Sequence, residues 1–149
     1  MKAVIQRVLS ASVAVDGNEI GTINQGFLIF LGIEKDDEPE DLDYILHKSV
    51  GLRIFKDEQN NMNLSLQDVA GEALVVSQFT LCADTRKGRR PSFINAAPPE
   101  IAESTYENFC KKLQDESVPV QMGRFGAMME VGLINDGPVT ILLDSRDRK

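Results

Sequence analysis

This chain is poor in the residues that usually run protein chemistry. It has one histidine, two cysteines and no tryptophan in 149 residues. With no His/Cys cluster and no carboxylate spacing typical of a metal loop, the sequence offers no metal centre and calls for no cofactor. His47 lies about 140° around its helix from Leu42, off the apolar stripe, and is expected at the surface. A serine triad would have to reach that one imidazole from a distance, and no G-x-S-x-G elbow surrounds Ser77 or Thr80. Gly123 and Gly126 do not make a phosphate loop. Cys82 and Cys110 form no C-x-x-C pair and read as reduced thiols of a cytoplasmic protein. Long apolar runs are missing as well, so neither a membrane helix nor a secretory signal is expected. Positive charge is scarce. Lysine and arginine number 16 against 23 acids, a net charge of −7 that argues against indiscriminate binding to a polyanion.

What is present is the pattern of a globular chain. Hydrophobic residues make up 42% and charged residues 26%, with no repeat and no linker, so residues 1–149 read as a single domain. The first third is β: short strands at 3–9 and 11–15, an Asp16-Gly17-Asn18 hairpin signal, a return over 19–23, and a strand over 27–33 apolar on both faces. A helix opens at Pro39 with Glu40, Asp41 and Asp43 at its positive end; Leu42, Ile45, Leu46 and Val50 form its buried stripe, and Gly51 stops it. Strands at 52–55 and 73–81 flank a polar loop. A second helix starts at Pro98-Pro99, with Ala102, Tyr106, Phe109 and Leu113 at helical spacing. Two helices against many short strands predict an α+β fold, with a curled antiparallel or mixed sheet forming a barrel-like core.

Three features invite chemistry. Along 75–81, strand alternation puts Val76, Gln78 and Thr80 on one face and Ser77, Phe79 and Leu81 on the other. A Gln and a Thr near a strand end either satisfy neighbours or line a pocket. The loop Arg86-Lys87-Gly88-Arg89-Arg90 carries four positive charges in five residues: a solvated loop, or a phosphate contact on an otherwise acidic protein. Finally, Asn135-Asp136-Gly137-Pro138 interrupts an apolar run that reads as strand on both sides. Proline has no ladder N–H and belongs at edges, bulges or turns. On pattern alone the segment is a tight hairpin turn, or else a stiff corner that aims backbone carbonyls at something.

Ser77-Gln78-Phe79-Thr80-Leu81 together with Asn135-Asp136-Gly137-Pro138-Val139-Thr140 resembles the D-aminoacyl-tRNA deacylase family, long called D-tyrosyl-tRNA deacylases. The likeness runs nearly end to end, through residues 1–8, Lys87-Gly88-Arg89-Arg90-Pro91-Ser92-Phe93 and Gly123-Arg124-Phe125-Gly126-Ala127-Met128-Met129. It implies a homodimer, with active sites at the subunit interface, that hydrolyses the ester between a D-amino acid and the 3′ end of tRNA and removes glycine mischarged on tRNA. It further implies a cis Gly137-Pro138 bond, the pair entering the partner's site as the gate against L side chains. Ser77, Gln78, Phe79 and Thr80 then form the catalytic wall, with backbone N–H groups near Phe79 and Thr80 facing the oxyanion. Phe125 and Met129 pack around the adenosine, and Ala102 approaches the amino acid. Arg7 either braces the Gly-Pro corner through a carbonyl or is a surface arginine. The resemblance also implies that the terminal ribose 2′-OH assists in place of the missing base, so DNA is not an expected partner; nor, with no long apolar run, is a membrane. Arg86, Lys87, Arg89 and Arg90 are expected phosphate contacts, from charge alone.

Two readings from other classes remain open. One is a non-catalytic RNA-binding module, which lacks the stacking aromatics such modules use, since seven Phe and two Tyr fall mostly within apolar runs. The other is a thiol hydrolase built on Cys82.

Overall fold

The computed structural model describes residues 1–148. Its spine is one long strand, β1 (Lys2–Val15). Asp16 and Gly17 take φ of 51° and 77°, the positive values a two-residue hairpin turn demands, and Val15 pairs with Asn18 to open β2 (Asn18–Ile23). β3 (Gly26–Gly32) pairs antiparallel with the first half of β1, while β2 takes the second half.

The expected break near residue 10 is a bulge, not a strand end. Against β8 (Glu130–Asp144), Val8 and Ser10 face the adjacent residues Asn135 and Ile134, which leaves Leu9 as an extra residue. One inserted residue exchanges the two faces of a period-2 strand. Before the bulge Ala3 and Ile5 join the larger core against the helices; after it Ala11 and Val13 join a second core on the other face of the sheet. That exchange curls the sheet. β3 is apolar on both faces for the same reason: Phe27, Ile29 and Leu31 face one core and Leu28 the other, all fully buried.

α1 (Pro39–Gly51) has Pro39 at its first position, and Asp41 Oδ2 accepts from the Glu38 N–H at 2.8 Å. Leu42, Ile45 and Leu46 are buried, as expected. Gly51 is the last helical residue, and the Leu52 N–H makes the closing bond to Lys48 O. Two acids near the start of α1 are less solvated than their charge suggests. Glu34 and Asp41 are buried, with Arg146 2.9 Å from Glu34 Oε2 and Arg148 donating to Asp41 Oδ1 at 2.9 Å. The Arg146 contact lies off hydrogen-bond geometry and is Coulombic.

Beyond α1 the sequence expectations need correction. The strand expected over 52–55 is only β4 (Phe55–Lys56), and the polar loop after it returns as β5 (Met62–Leu64) in a separate two-stranded sheet. β6 (Glu72–Ser77) runs parallel to β3 but stops at Ser77, where a 3₁₀ turn, Phe79–Cys82, takes over. Gly32 explains the folding back: a Cβ there would meet Leu81 Cβ at 2.8 Å and Gln78 O at 3.1 Å, so the turn lies directly on β3. α2 (Pro99–Asp115) buries Ala102, Tyr106, Phe109 and Leu113 as expected, and β7 (Val120–Met122), unanticipated, adds a parallel strand beside β6. The mixed sheet thus runs β2-β1-β3-β6-β7, with β8 on the far side of β1.

Candidate active site

A cavity of about 780 Å³ opens where β6, the 3₁₀ turn, the N-terminus of α2 and the 125–131 segment converge. It collects most of the residues singled out from the sequence. Ser77, Gln78 and Phe79 form one wall, Ala102 comes from the first turn of α2, and Phe125 and Met129 close the other side. Thr80 does not line it; its Oγ1 instead accepts from Gln78 Nε2. The expected strand alternation therefore fails beyond Ser77. Val76, Ser77, Gln78 and Phe79 all line the cavity, which closes around the end of β6 where the chain leaves the strand and turns.

No lining side chain titrates. Besides Ser77 and Gln78 the walls are apolar or glycine. The turn supplies polar groups of another kind. Its first bond is from Leu81 N–H to Gln78 O, at 3.2 Å, so the Phe79 and Thr80 N–H groups stand ahead of it, as orphan donors do at a helix start. Backbone donors of this kind are what a developing oxyanion requires.

The alternative reading of a thiol nucleophile fares badly. Cys82 is 2% exposed, and burial, followed by the nearby Glu34 charge, pushes its pKa up to about 11. Its Sγ–H donates to Ile33 O at 3.5 Å. The thiolate is the nucleophilic form, so this group is inert at neutral pH. His47 is exposed, in a shallow recess with Tyr44, Lys48 and Arg53, and lines no part of the cavity.

Gly137 and Pro138 also lie outside that cavity, and they are not at a hairpin turn. β8 stays paired with β1 on both sides of them: Thr140 faces Gln6 and Asn135 faces Val8. Four residues, Asp136 to Val139, stand opposite Arg7 alone, so the pair sits on an excursion thrown out of a continuous strand. The Gly137-Pro138 peptide bond is cis, and both residues are exposed. The hairpin expectation used local pattern only; pairing with β1 keeps the two arms in line.

Arg7 is not a surface residue. It is 2% exposed, donates from Nε to Asp136 O at 3.0 Å and from Nη1 to Ile54 O, and has Asp136 Oδ2 at 3.1 Å from Nε. Of the basic loop, Arg86 is spoken for: it grips Asp84 through two hydrogen bonds of 2.9 and 2.7 Å, which hold the Asp84 carboxyl down at about 2. Lys87, Arg89 and Arg90 are exposed and, like Arg86, away from the cavity.

Sequence reasoning passed over Phe93 and the 96–99 segment, which line the cavity beside Phe79; the rings of Phe79 and Phe93 meet edge-on at 5.0 Å. The local signals were Pro98-Pro99 as a helix start and Phe93 at the end of a quoted motif, with no role assigned to either in the cavity. Asn135, quoted as part of a motif, had no role assigned to its side chain.

A curled mixed sheet with two helices and an apolar, charge-free cavity defines a small α+β protein of barrel-like class. The relatives make that class specific. Residues 4–144 match the family described as D-Tyr-tRNA(Tyr) deacylase. A D-aminoacyl-tRNA deacylase of Clostridioides difficile (strain 630) is 59% identical over 145 residues, covering 97% of each chain. One from Desulfatibacillum aliphaticivorans is 53% identical over 98% of this chain and 100% of that protein. Among solved structures, "c-Myc DNA Unwinding Element Binding Protein" superposes with a TM-score of 0.92 at 43% identity, over 97% of this chain and 98% of that one. A "probable eukaryotic D-amino acid tRNA deacylase", at 18% identity and a TM-score of 0.79 over 95% and 97% of the two chains, shares the fold. The chain belongs to the D-Tyr-tRNA(Tyr) deacylase family and is an ester hydrolase of that kind.

Proposed function

We infer that this deacylase is a trans-editing esterase that works without a side-chain base. The cavity carries the reading: it has room for an aminoacyl-adenosine end, and none of its lining side chains titrates. An ester needs a stabilised oxyanion and a nucleophilic water. The Phe79 and Thr80 N–H groups supply the first, and the terminal ribose 2′-OH of the substrate assists the second. Each oxyanion donor contributes about 2.7–4 kcal/mol where such donors have been removed. Ser77 and Gln78 orient the aminoacyl group, Thr80 holds Gln78, Ala102 contacts the amino acid, and Phe125 and Met129 hold the adenine.

Selectivity for D- over L-aminoacyl-tRNA belongs to Gly137 and Pro138, delivered to the cavity of a second copy. Two observations support a homodimer. Among the described strands β8 pairs with β1 alone, and its outer surface exposes Ile134 and Leu142, at 57% and 76%. An open apolar edge of this length invites a second chain. Glycine, which has no side chain for the gate to exclude, is accepted from Gly-tRNA by the same logic. Lys87, Arg89 and Arg90 meet tRNA phosphates, Arg86 contributing less because Asp84 already holds it. No described helix is long and apolar enough to cross a membrane, and cytoplasmic tRNA is the natural substrate pool.

Matched D- and L-aminoacyl-tRNAs, each ending in ribose or 2′-deoxyribose, test the whole reading. Rapid amino-acid release from the D-ribose substrate alone is expected. Equal release from the 2′-deoxy substrate would end the substrate-assisted mechanism, and equal release from L would end the gate.

A further inference from the structure

The excursion that carries Gly137 has an internal strut. Throwing four residues of β8 outward removes the main-chain donor that would face the Arg7 carbonyl. The Asn135 carboxamide replaces it: Nδ2 donates to Arg7 O at 2.9 Å and to Val139 O at 3.0 Å. One amide hydrogen thus repairs the ladder to β1, and the other closes the neck of the excursion four residues on. Arg7 grips the next residue, Asp136, through its carbonyl and its carboxylate.

The same carboxamide occupies the space beside Gly137. A Cβ built on Gly137 would run into Asn135 Oδ1 and stand 3.2 Å from its Cγ; the next atom, Val139 N, is at an ordinary 3.5 Å. Asn135 cannot step aside cheaply, because both of its amide hydrogens are engaged. The missing side chain at Gly137 therefore has a reason within its own subunit, separate from any substrate.

We propose that Asn135 is a positioning residue for Gly137: its carboxamide closes the excursion, takes the space a Cβ would need, and so sets where the Gly137 backbone stands. The consequence for D/L selectivity rests on the gate reading above, whereas the coupling between Asn135 and Gly137 does not.

Four proteins test it: the unaltered chain, Asn135→Ala, Gly137→Ala and the double variant. Each is measured by urea unfolding and by release of tyrosine from D- and L-Tyr-tRNA. Gly137→Ala is expected to lower the folding equilibrium constant about tenfold in the unaltered chain, the scale of a lost hydrogen-bonded contact, and to add little once Asn135 is gone. Asn135→Ala is expected to lower the D-over-L rate ratio about tenfold in a protein that still unfolds cooperatively, a change that loss of stability alone does not make. Equal effects of Gly137→Ala with and without Asn135 would overturn the strut. So would an unchanged D-over-L ratio in Asn135→Ala when Gly137→Ala alters it. Coupling in urea with neither variant moving the ratio would leave the strut standing and remove the gate. If Asn135→Ala does not fold, Asn135→Ser keeps one donor and permits the same cycle.

Discussion

Two regions of this molecule handle polar groups in opposite ways. Around the cavity, the side chains are apolar apart from Ser77 and Gln78, and the donors proposed for the oxyanion are the backbone N–H groups of the 3₁₀ turn. At the β8 excursion the order is reversed. There Arg7, Asn135 and Asp136 spend their polar groups on holding a short piece of main chain outside its strand. The first region has no titrating side chain in its lining. The second builds a rigid object from flexible chain. On the proposed mechanism, the protein contributes shape and fixed dipoles where many hydrolases contribute a titrating side chain.

The largest expected break in this comparison is Arg7→Ala. Its guanidinium is buried, and its loss strands the Ile54 and Asp136 carbonyls and the Asp136 carboxylate, at about 3 kcal/mol of stability. Urea denaturation measures it, and a loss below ~0.5 kcal/mol would mean the excursion does not depend on that charge. Next comes Thr80→Ala on the cavity side. Removing the hydroxyl that accepts from Gln78 Nε2 is expected to lower turnover about two- to tenfold, the value of one hydrogen bond. Complete loss would instead make Thr80 a nucleophile and erase the contrast between the two regions.

Smaller effects sharpen the picture at its margins. Lys87→Ala and Arg89→Ala should each reduce the dependence of log K for tRNA on log salt by about 0.7–0.9, with Arg86→Ala closer to zero. Equal slopes for all three would show that the Asp84 pairing does not matter. Smallest is Cys82→Ser. Hydrolysis should be unchanged at neutral pH, which removes the thiol mechanism if observed and revives it if activity collapses.

That variant has an alkaline signature as well. Burial raises the thiols of Cys82 and Cys110 from the ordinary 9.0 to about 11 and about 12. The folded state therefore keeps protons that the unfolded chain releases. Stability from these groups is full below pH 9 and is lost as pH rises from there through 11 to 12. Cys82→Ser should make urea-measured stability fall less steeply between pH 9 and 11, by one thiol's share.

Legibility in the sequence followed the range of the forces. The Asp16-Gly17 hairpin, both helices and the double-faced β3 were readable because turn chemistry and apolar periodicity act within a few residues. The wall at 77–80 was located but given the wrong geometry, since strand alternation was extended into a segment that Gly32, far earlier in the chain, allows to fold back. β7, three residues in parallel pairing, carried too little local signal to find. The Gly-Pro corner looked like a hairpin because a hairpin and an excursion share the same local pattern.

The sequence by itself determined the α+β class, the two amphipathic helices and the motifs by which the family is known. Only tertiary structure decided that no titrating side chain lines the cavity and that Arg7 is buried. It alone aligned both arms of β8 on β1, and it alone set Asn135 in the space of a Gly137 side chain. Those facts depend on pairs far apart in the chain, such as Arg7 and Asp136, 129 residues from each other. Periodicity and turn propensity carry no information about a partner that distant; register against a neighbouring strand does.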